Sequence, residues 1–312
     1  MVRTVILSLL ALGACAPKPT PTAASPSPAR IVGHTSGEAG FHTTTWFVIE
    51  DDGVVVVDAQ FTPDEAEAAL QTLRQHTDKP VTHVVATHPN PDKFNGAPVF
   101  QQEGAAFVVS DATAEALPGV HAYKQAYFEG VGAFPEGAYP DLPSVDRTFS
   151  GSLQLSPAVE LVELPHAGVS STQTVVRVDG QHLIVGDLVA VDTHAWLEGG
   201  IVDGQPVPDI DGWTAALEHT ASLGAGDLYP GRGPTRAVDQ AVAEQVDYLQ
   251  TVDALVTEYV EALEASDLSG EDAGSHWGAL TDAVSAAYPD HEHAYLVTYG
   301  VYGLAFARLA EE

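Results

Sequence analysis

Apolar residues recur along this chain in two modes, short β-branched runs that suit strands and three-to-four-residue spacings that suit helices. Residues 42–50 and 54–58 predict adjacent strands, joined at Asp51-Asp52-Gly53, a hairpin turn signal. Thr62-Pro63-Asp64-Glu65 then predicts a helix start: Thr62 caps it, Pro63 suits its first position and Glu65 completes a capping box. Ala66, Ala69, Leu70 and Leu73 share one face of that helix, which runs to about His76. Residues 81–86 predict a buried strand. It ends in a stiff polar stretch, Thr87-His88-Pro89-Asn90-Pro91-Asp92-Lys93-Phe94-Asn95-Gly96. In open α/β sheets ligands gather at this carboxyl end of the strands.

The pattern continues with a short helix over 97–102, a strand over 106–109 and a helix from Asp111 that gives way to a loop at Pro118-Gly119-Val120-His121. Residues 122–146, aromatic and rich in Gly and Pro, read as a loop over the cleft. Strands follow near 152–156, 159–164, 173–178 and 182–186, with Asp179-Gly180 as a turn. An amphipathic helix over 210–223, a short strand over 227–229 and a long helix over 235–263 come next. Two further helices fill 275–311, with Asp290 as the expected cap. No short internal repeat is visible.

Composition narrows the function. The 312 residues carry 43 acidic against 12 basic side chains, a net charge of −31, which repels phosphate backbones and leaves nucleic acid an improbable partner. Met1-Val2-Arg3, the apolar residues 4–12 and the small residues before Cys15 read as a secretory signal peptide over 1–14. Leu12-Gly13-Ala14-Cys15 resembles the bacterial lipobox, so Cys15 is the expected lipidation site and a membrane anchor. Localisation is then the bacterial cell envelope, on the periplasmic side of the outer membrane in a Gram-negative cell. Cys15 is the sole cysteine, so no intrachain disulfide and no cysteine metal ligand is available. The Pro-, Ser-, Thr- and Ala-rich residues that follow, with Cys15 making 15–30, read as a tether. A domain over 31–264 and a helical extension over 265–312 complete the expected organisation.

One ordered set of features carries a resemblance. Asp58 after an apolar strand, the strand ending in Thr87-His88, Gly186-Asp187-Leu188 after a later strand, and Pro230-Gly231-Arg232-Gly233-Pro234 occur in the order of the metallo-β-lactamase superfamily. The resemblance covers about residues 40–235. It implies an αββα four-layer sandwich, here with an added C-terminal helical segment, and hydrolases with one or two zinc ions at the sheet edges. At the family pattern His-x-His-x-Asp-His this sequence has His88, Asn90, Asp92 and Lys93, two of the four matching, and the histidine of a Pro-Gly-His-Gly-Pro-like turn is here Arg232. Asp187 matches the bridging acidic ligand. His166 is the nearest candidate for the remaining histidine, although aligning the following strand puts Val169 there.

The implied metal set is therefore His88, Asn90, Asp92, His166 and Asp187, with Zn as cofactor, one ion at most. Lys93 and Arg232 are cations standing at positions of the same metal, and they can neutralise Asp92 and Asp187 where a metal otherwise would. Only four lysines occur in the chain, which argues against casual placement of Lys93. With one zinc, metal-activated water would hydrolyse an ester, lactone, amide or phosphoester, Asp92 orienting the water and Lys93 or Arg232 stabilising the oxyanion. The alternative is a non-catalytic binding lipoprotein that keeps the cleft for a small-molecule ligand; a purely structural envelope role is a third reading. His121, Lys124, His194 and Trp196 fall in segments that line the family's cleft, though such residues more often pack a lid. Ser170 and Ser171 lack a nucleophile-elbow context. His291 and His293, expected at a helix start, would project about 200° apart and share no metal. His42 and His83 read as structural.

Overall fold

The computed structural model describes residues 27–261, 263–268 and 273–310. The leader, Cys15 and most of the tether lie outside the described residues. The first sheet runs in chain order: β1 (Arg30–Thr35), β2 (Thr44–Ile49), β3 (Val54–Val57), β4 (Val81–Val85), β5 (Ala106–Ser110) and β6 (Arg147–Phe149). The first three strands pair antiparallel and the last four parallel. The second sheet contains β7 (Ser152–Gln154), β8 (Val159–Glu163), β9 (Thr174–Val178) and β10 (His182–Ala190). A small hairpin, β11 (Gly200–Val202) with β12 (Gln205–Val207), stands apart, and β13 (Asp227–Arg232) and β14 (Arg236–Ala237) complete the second sheet in the order β14-β13-β10-β9-β8-β7.

The alternation within strand β3 explains the layering. Val55 and Val57 enter a core shared with Val85, Leu161, Val176 and Ile184 of the facing sheet. Val54 and Val56 face the other way, into a core with the first helical layer. That layer contains α1 (Pro63–Arg74), the one-turn α2 (Pro91–Phe94), α3 (Ala97–Gln102) and α4 (Asp111–Gly130). Ala66, Ala69 and Leu73 of α1 are the buried stripe its periodicity predicts. Thr62 Oγ1 accepts the Glu65 N–H at 3.3 Å, a cap of about 1 kcal/mol. On the outer face of the second sheet, α5 (Ile210–Leu223) and α6 (Val238–Val260) share one core with the added helices α7 (Ala273–Ala287) and α8 (Tyr295–Ala310). The architecture is thus an αββα sandwich extended at its C-terminal helical layer.

Several expectations are corrected. Helix α4 does not stop at Pro118 but continues to Gly130. A proline inside a helix forfeits a hydrogen bond and crowds the preceding turn, yet Leu117, Val120, Lys124 and Phe128 form a continuous buried stripe across it. Tertiary burial outweighs the local break, and residues 122–130 are helix instead of loop. Strand β10 runs on to Ala190, four residues beyond its predicted end, because it pairs with β13 through a register shift at Gly186. Strand β1 falls at the boundary assigned to the tether. Asp290 does not cap α8, which begins five residues later, and His291 and His293 precede that helix rather than opening it. Their segment docks on Asp192–His194: the Glu292 N–H donates to Asp192 O and the His194 N–H to Glu292 O.

Candidate functional site

The end of β4, helix α2, β10 and the last residue of β13 meet in a buried ring of charge. Asp92 and Lys93 come from α2, Asp187 from β10 and Arg232 from β13; all four are at least 94 % buried. Lys93 Nζ lies 2.7 Å from Asp92 Oδ2 and 2.8 Å from Asp187 Oδ1. The Arg232 guanidinium reaches the same two carboxylates, 3.0 Å to Asp92 Oδ2 and 2.5 Å to Asp187 Oδ2. Each acid therefore meets both cations, and the four charges cancel. Thr43 Oγ1 donates to Asp92 Oδ2 at 2.6 Å, and Arg232 Nε donates to the Phe41 carbonyl at 2.7 Å. These two partners had no motif to betray them, since they sit beyond the end of β1 and become neighbours only through sheet pairing.

Electrostatics follow from burial opposed by proximity. Desolvation pushes the Asp92 and Asp187 carboxyls up, but Lys93 and Arg232 outweigh it and hold both well below the usual carboxylate range. Desolvation pushes Lys93 and Arg232 down, and the two carboxylates overturn that and raise both. All four groups are therefore ionised at neutral pH. Replacing such a set by apolar residues is often energetically neutral, whereas removing one member leaves an uncompensated charge.

A second buried chain backs the ring. Asp58, at the end of β3 with a left-handed φ of 64°, accepts from the Thr87 N–H at 2.9 Å, and Thr87 Oγ1 also lies 2.9 Å from Asp58 Oδ1. Thr87 Oγ1 is in turn 2.9 Å from His88 Nδ1. Burial raises Asp58 to about 7, and burial lowers His88 to about 4, so the imidazole is neutral. His88 Nε2 is buried, lies 3.7 Å from Asp187 Oδ2 and has no hydrogen-bond partner among the described residues. Gly186 is required here: its φ is 55°, and a Cβ would stand 2.2 Å from Thr87 Oγ1.

The structure gathers His88, Asn90, Asp92, Lys93, Asp187 and Arg232 but does not bring His166 to them. His166 is exposed on the loop after β8, while Val169 is fully buried in the apolar core. Asn90, Asp92, Asp187 and Arg232 border a cavity of about 20 Å³, room for one water molecule. Phe41, Phe61, Phe128, Lys124 and Trp196 close it. Lys124 is buried in an ion pair with Glu198, 5.1 Å from the Trp196 ring centroid. Glu198 also accepts from Trp196 Nε1 at 3.0 Å and from Tyr302 Oη of α8, so the extension is tied to the mouth of the site. Two cleft candidates are corrected. His121 Nε2 bonds the Pro140 carbonyl at 2.8 Å, tying α4 to the loop beyond it, and His194 is buried with Nδ1 3.1 Å from Tyr248 Oη of α6. His291 stacks on that same tyrosine and His293 on His42.

A zinc ion does not fit this donor set. Among the described residues one imidazole is present, no second histidine joins it, and both carboxylates are already engaged by cations that an added divalent ion would face directly. Among the described residues no group of three or more His, Cys, Asp or Glu is arranged to hold a metal ion.

Comparison with known proteins sets this geometry in a lineage. The profile of the Metallo-beta-lactamase superfamily matches residues 39–232. A metallo-beta-lactamase from Pontibacter korlensis superposes with a TM-score of 0.51 at 21% identity, covering 73% of this chain and 97% of that one. The DIM-1 metallo-beta-lactamase gives 0.51 at 15% identity, covering 73% and 99%, and TMB-1 gives 0.50 at 15%, covering 71% and 91%. No curated protein matches significantly. Members of the superfamily typically bind zinc, and the fold supports hydrolase-type chemistry. The shared profile spans more than half of the residues, so this chain belongs to the metallo-beta-lactamase superfamily.

Proposed function

We propose that this protein is a non-catalytic, metal-free binding member of its superfamily, in which an internal ring of ion pairs replaces the metal centre and the neighbouring cleft receives a small molecule. The observation that carries the reading is the double bridging of Asp92 and Asp187 by Lys93 and Arg232. The carboxylates that would draw a divalent cation are neutralised, and the cavity beside them has room for a single water, too little for a substrate and an attacking water together. This favours the binding lipoprotein over the hydrolase with one zinc. The TMB-1 study concerns substrate and inhibitor binding, and a small-molecule cleft in this chain agrees with that use of the fold. The leader and Cys15 support anchoring in the cell envelope.

Elemental analysis of protein purified without chelator tests the reading. Less than about a tenth of an equivalent of zinc, with a melting temperature indifferent to added zinc or chelator, is expected. Stoichiometric zinc with chelator-sensitive hydrolysis of an ester, lactone, β-lactam or phosphoester would overturn it. Anchoring is tested separately by fatty-acid labelling of the intact chain: the label should be lost in Cys15→Ser.

A further inference from the structure

Beside the locked ring lies a larger groove of about 610 Å³, within the size range of small-molecule sites. It is walled by Phe41, Phe61, Phe128, Phe134, Tyr295 and Tyr299, brought together from the turn before β2, the approach to α1, the end of α4 and the added helix α8. Phe41, Phe61 and Phe128 also close the water-sized cavity, so their rings separate the two spaces. The rings fix one another: Phe61 meets Phe41 at 5.0 Å and 73°, and Phe134 at 5.6 Å and 71°. Tyr295 stands 6.3 Å from Tyr299 at 89°. A wall of this kind is rigid and offers both apolar area and ring quadrupoles.

Its polar features have one sign. Among the described residues Glu38 is the sole charged one lining the groove, and it is exposed. No lysine, arginine or histidine among the described residues lines it, and the chain as a whole carries −31. The nearest guanidinium felt by Tyr295 is Arg232, which is engaged by Asp92 and Asp187. Burial pushes the Tyr295 phenol up to about 12, so it stays neutral at physiological pH and adds no charge to the groove. An occupant that complements this wall brings an apolar body for the rings and positive charge for Glu38.

We propose that the groove binds a protonated amine carried on an aromatic or compact apolar body. Its ammonium faces the Glu38 carboxylate, and its body lies against the phenylalanines, Tyr295 and Tyr299, where cation–π attraction adds to burial. Anions are repelled by Glu38 and by the net charge. The assignment rests on the reading of the chain as a binding protein and names the class of its ligand.

The test titrates the full chain with 2-phenylethylammonium, 2-phenylethanol and 3-phenylpropionate, by calorimetry and by intrinsic fluorescence. Trp196 stacks on Tyr299 at 5.5 Å and 7°, so occupancy perturbs an indole. The ammonium is expected to bind about tenfold tighter than the alcohol, with the carboxylate weakest. Glu38→Gln should lower affinity for the ammonium several-fold and leave the alcohol unchanged; Phe134→Ala should weaken both. Glu38 is exposed, so its variant keeps the parent melting temperature and reports on binding alone. Equal affinity for ammonium and alcohol, preference for the carboxylate, or no binding of any probe by the parent protein would overturn the assignment. Zinc measured on the same preparation separates the two readings: metal-free protein that ignores the ammonium sinks the amine site and leaves the locked centre standing, whereas stoichiometric zinc sinks the locked centre itself.

Discussion

Lys93→Met is the most direct probe of the buried ring. Methionine matches the length and volume of the lysine stem, so the fully buried side chain is replaced without a cavity, and the change falls on the charge. Asp92 and Asp187 are then left to share Arg232, one uncompensated negative charge inside the protein. Breaking a buried ion pair by removing one partner costs about 3–5 kcal/mol. An independent count agrees: Lys93 makes ionic contacts of 2.7 and 2.8 Å, and two charge-assisted hydrogen bonds at about 1.5–3 kcal/mol each give about 3–6 kcal/mol. Against a typical total stability of about 5–15 kcal/mol this is a large loss. Urea unfolding at pH 7 should show it as a fall in midpoint at constant slope. Asp187→Asn alone should be destabilising as well, leaving two cations to one carboxylate. Combined with Lys93→Met it restores neutrality, and most of the lost stability should return. The non-additivity is the signature. A loss below about 1 kcal/mol for Lys93→Met, or strictly additive losses, would refute the idea that the ring holds the site together.

Further outcomes follow from the same geometry. Asp58 is raised from 3.8 to about 7, so the folded chain binds its proton more tightly; its contribution, about 4 kcal/mol at most, is complete below pH 4 and lost as pH rises through about 7. Asp58→Asn should flatten that decline in a series of urea melts, and an unchanged slope would rule out Asp58 as its source. Asp92 and Asp187 act in the opposite sense: their depressed carboxyls add stability that is complete above about pH 4 and lost as pH falls, so Lys93→Met should blunt the acid side of the profile. The combined variant Asn90→His, Lys93→His and Arg232→His sets imidazoles around Asp92 and Asp187, and should retain zinc by elemental analysis where the parent is expected to retain none. Gly186→Ala should destabilise by several kcal/mol, about 1–3 from the left-handed backbone and the rest from the clash with Thr87; a melting temperature within a degree of the parent would count against it.

Much of the layered fold was legible in local pattern. The Val-rich strands, the capped helix α1 and the turn at Asp179-Gly180 depend on neighbours in sequence, and they form where period and turn chemistry put them. The pairing of Lys93 and Arg232 with Asp92 and Asp187 was legible too, because all four fall inside recognisable strand-end motifs. What failed was whatever long-range burial overrides, above all the continuation of α4 through Pro118, where a local breaker lost to a stripe packed against other elements.

By itself the sequence determined the order of strands and helices, the residues at the strand ends and the opposition of two acids to two cations. Only the tertiary structure decided that each acid meets both cations, that His166 stays outside, and that Lys124 is spent on Glu198. It also decided that helix α8 turns the mouth of the cleft into an aromatic groove. The reason is physical: strand and helix patterns are set by neighbours a few residues apart, whereas Lys93 to Asp187 or Arg232 to Thr43 are contacts across the chain, made only when two sheets stack and bring their strand ends together.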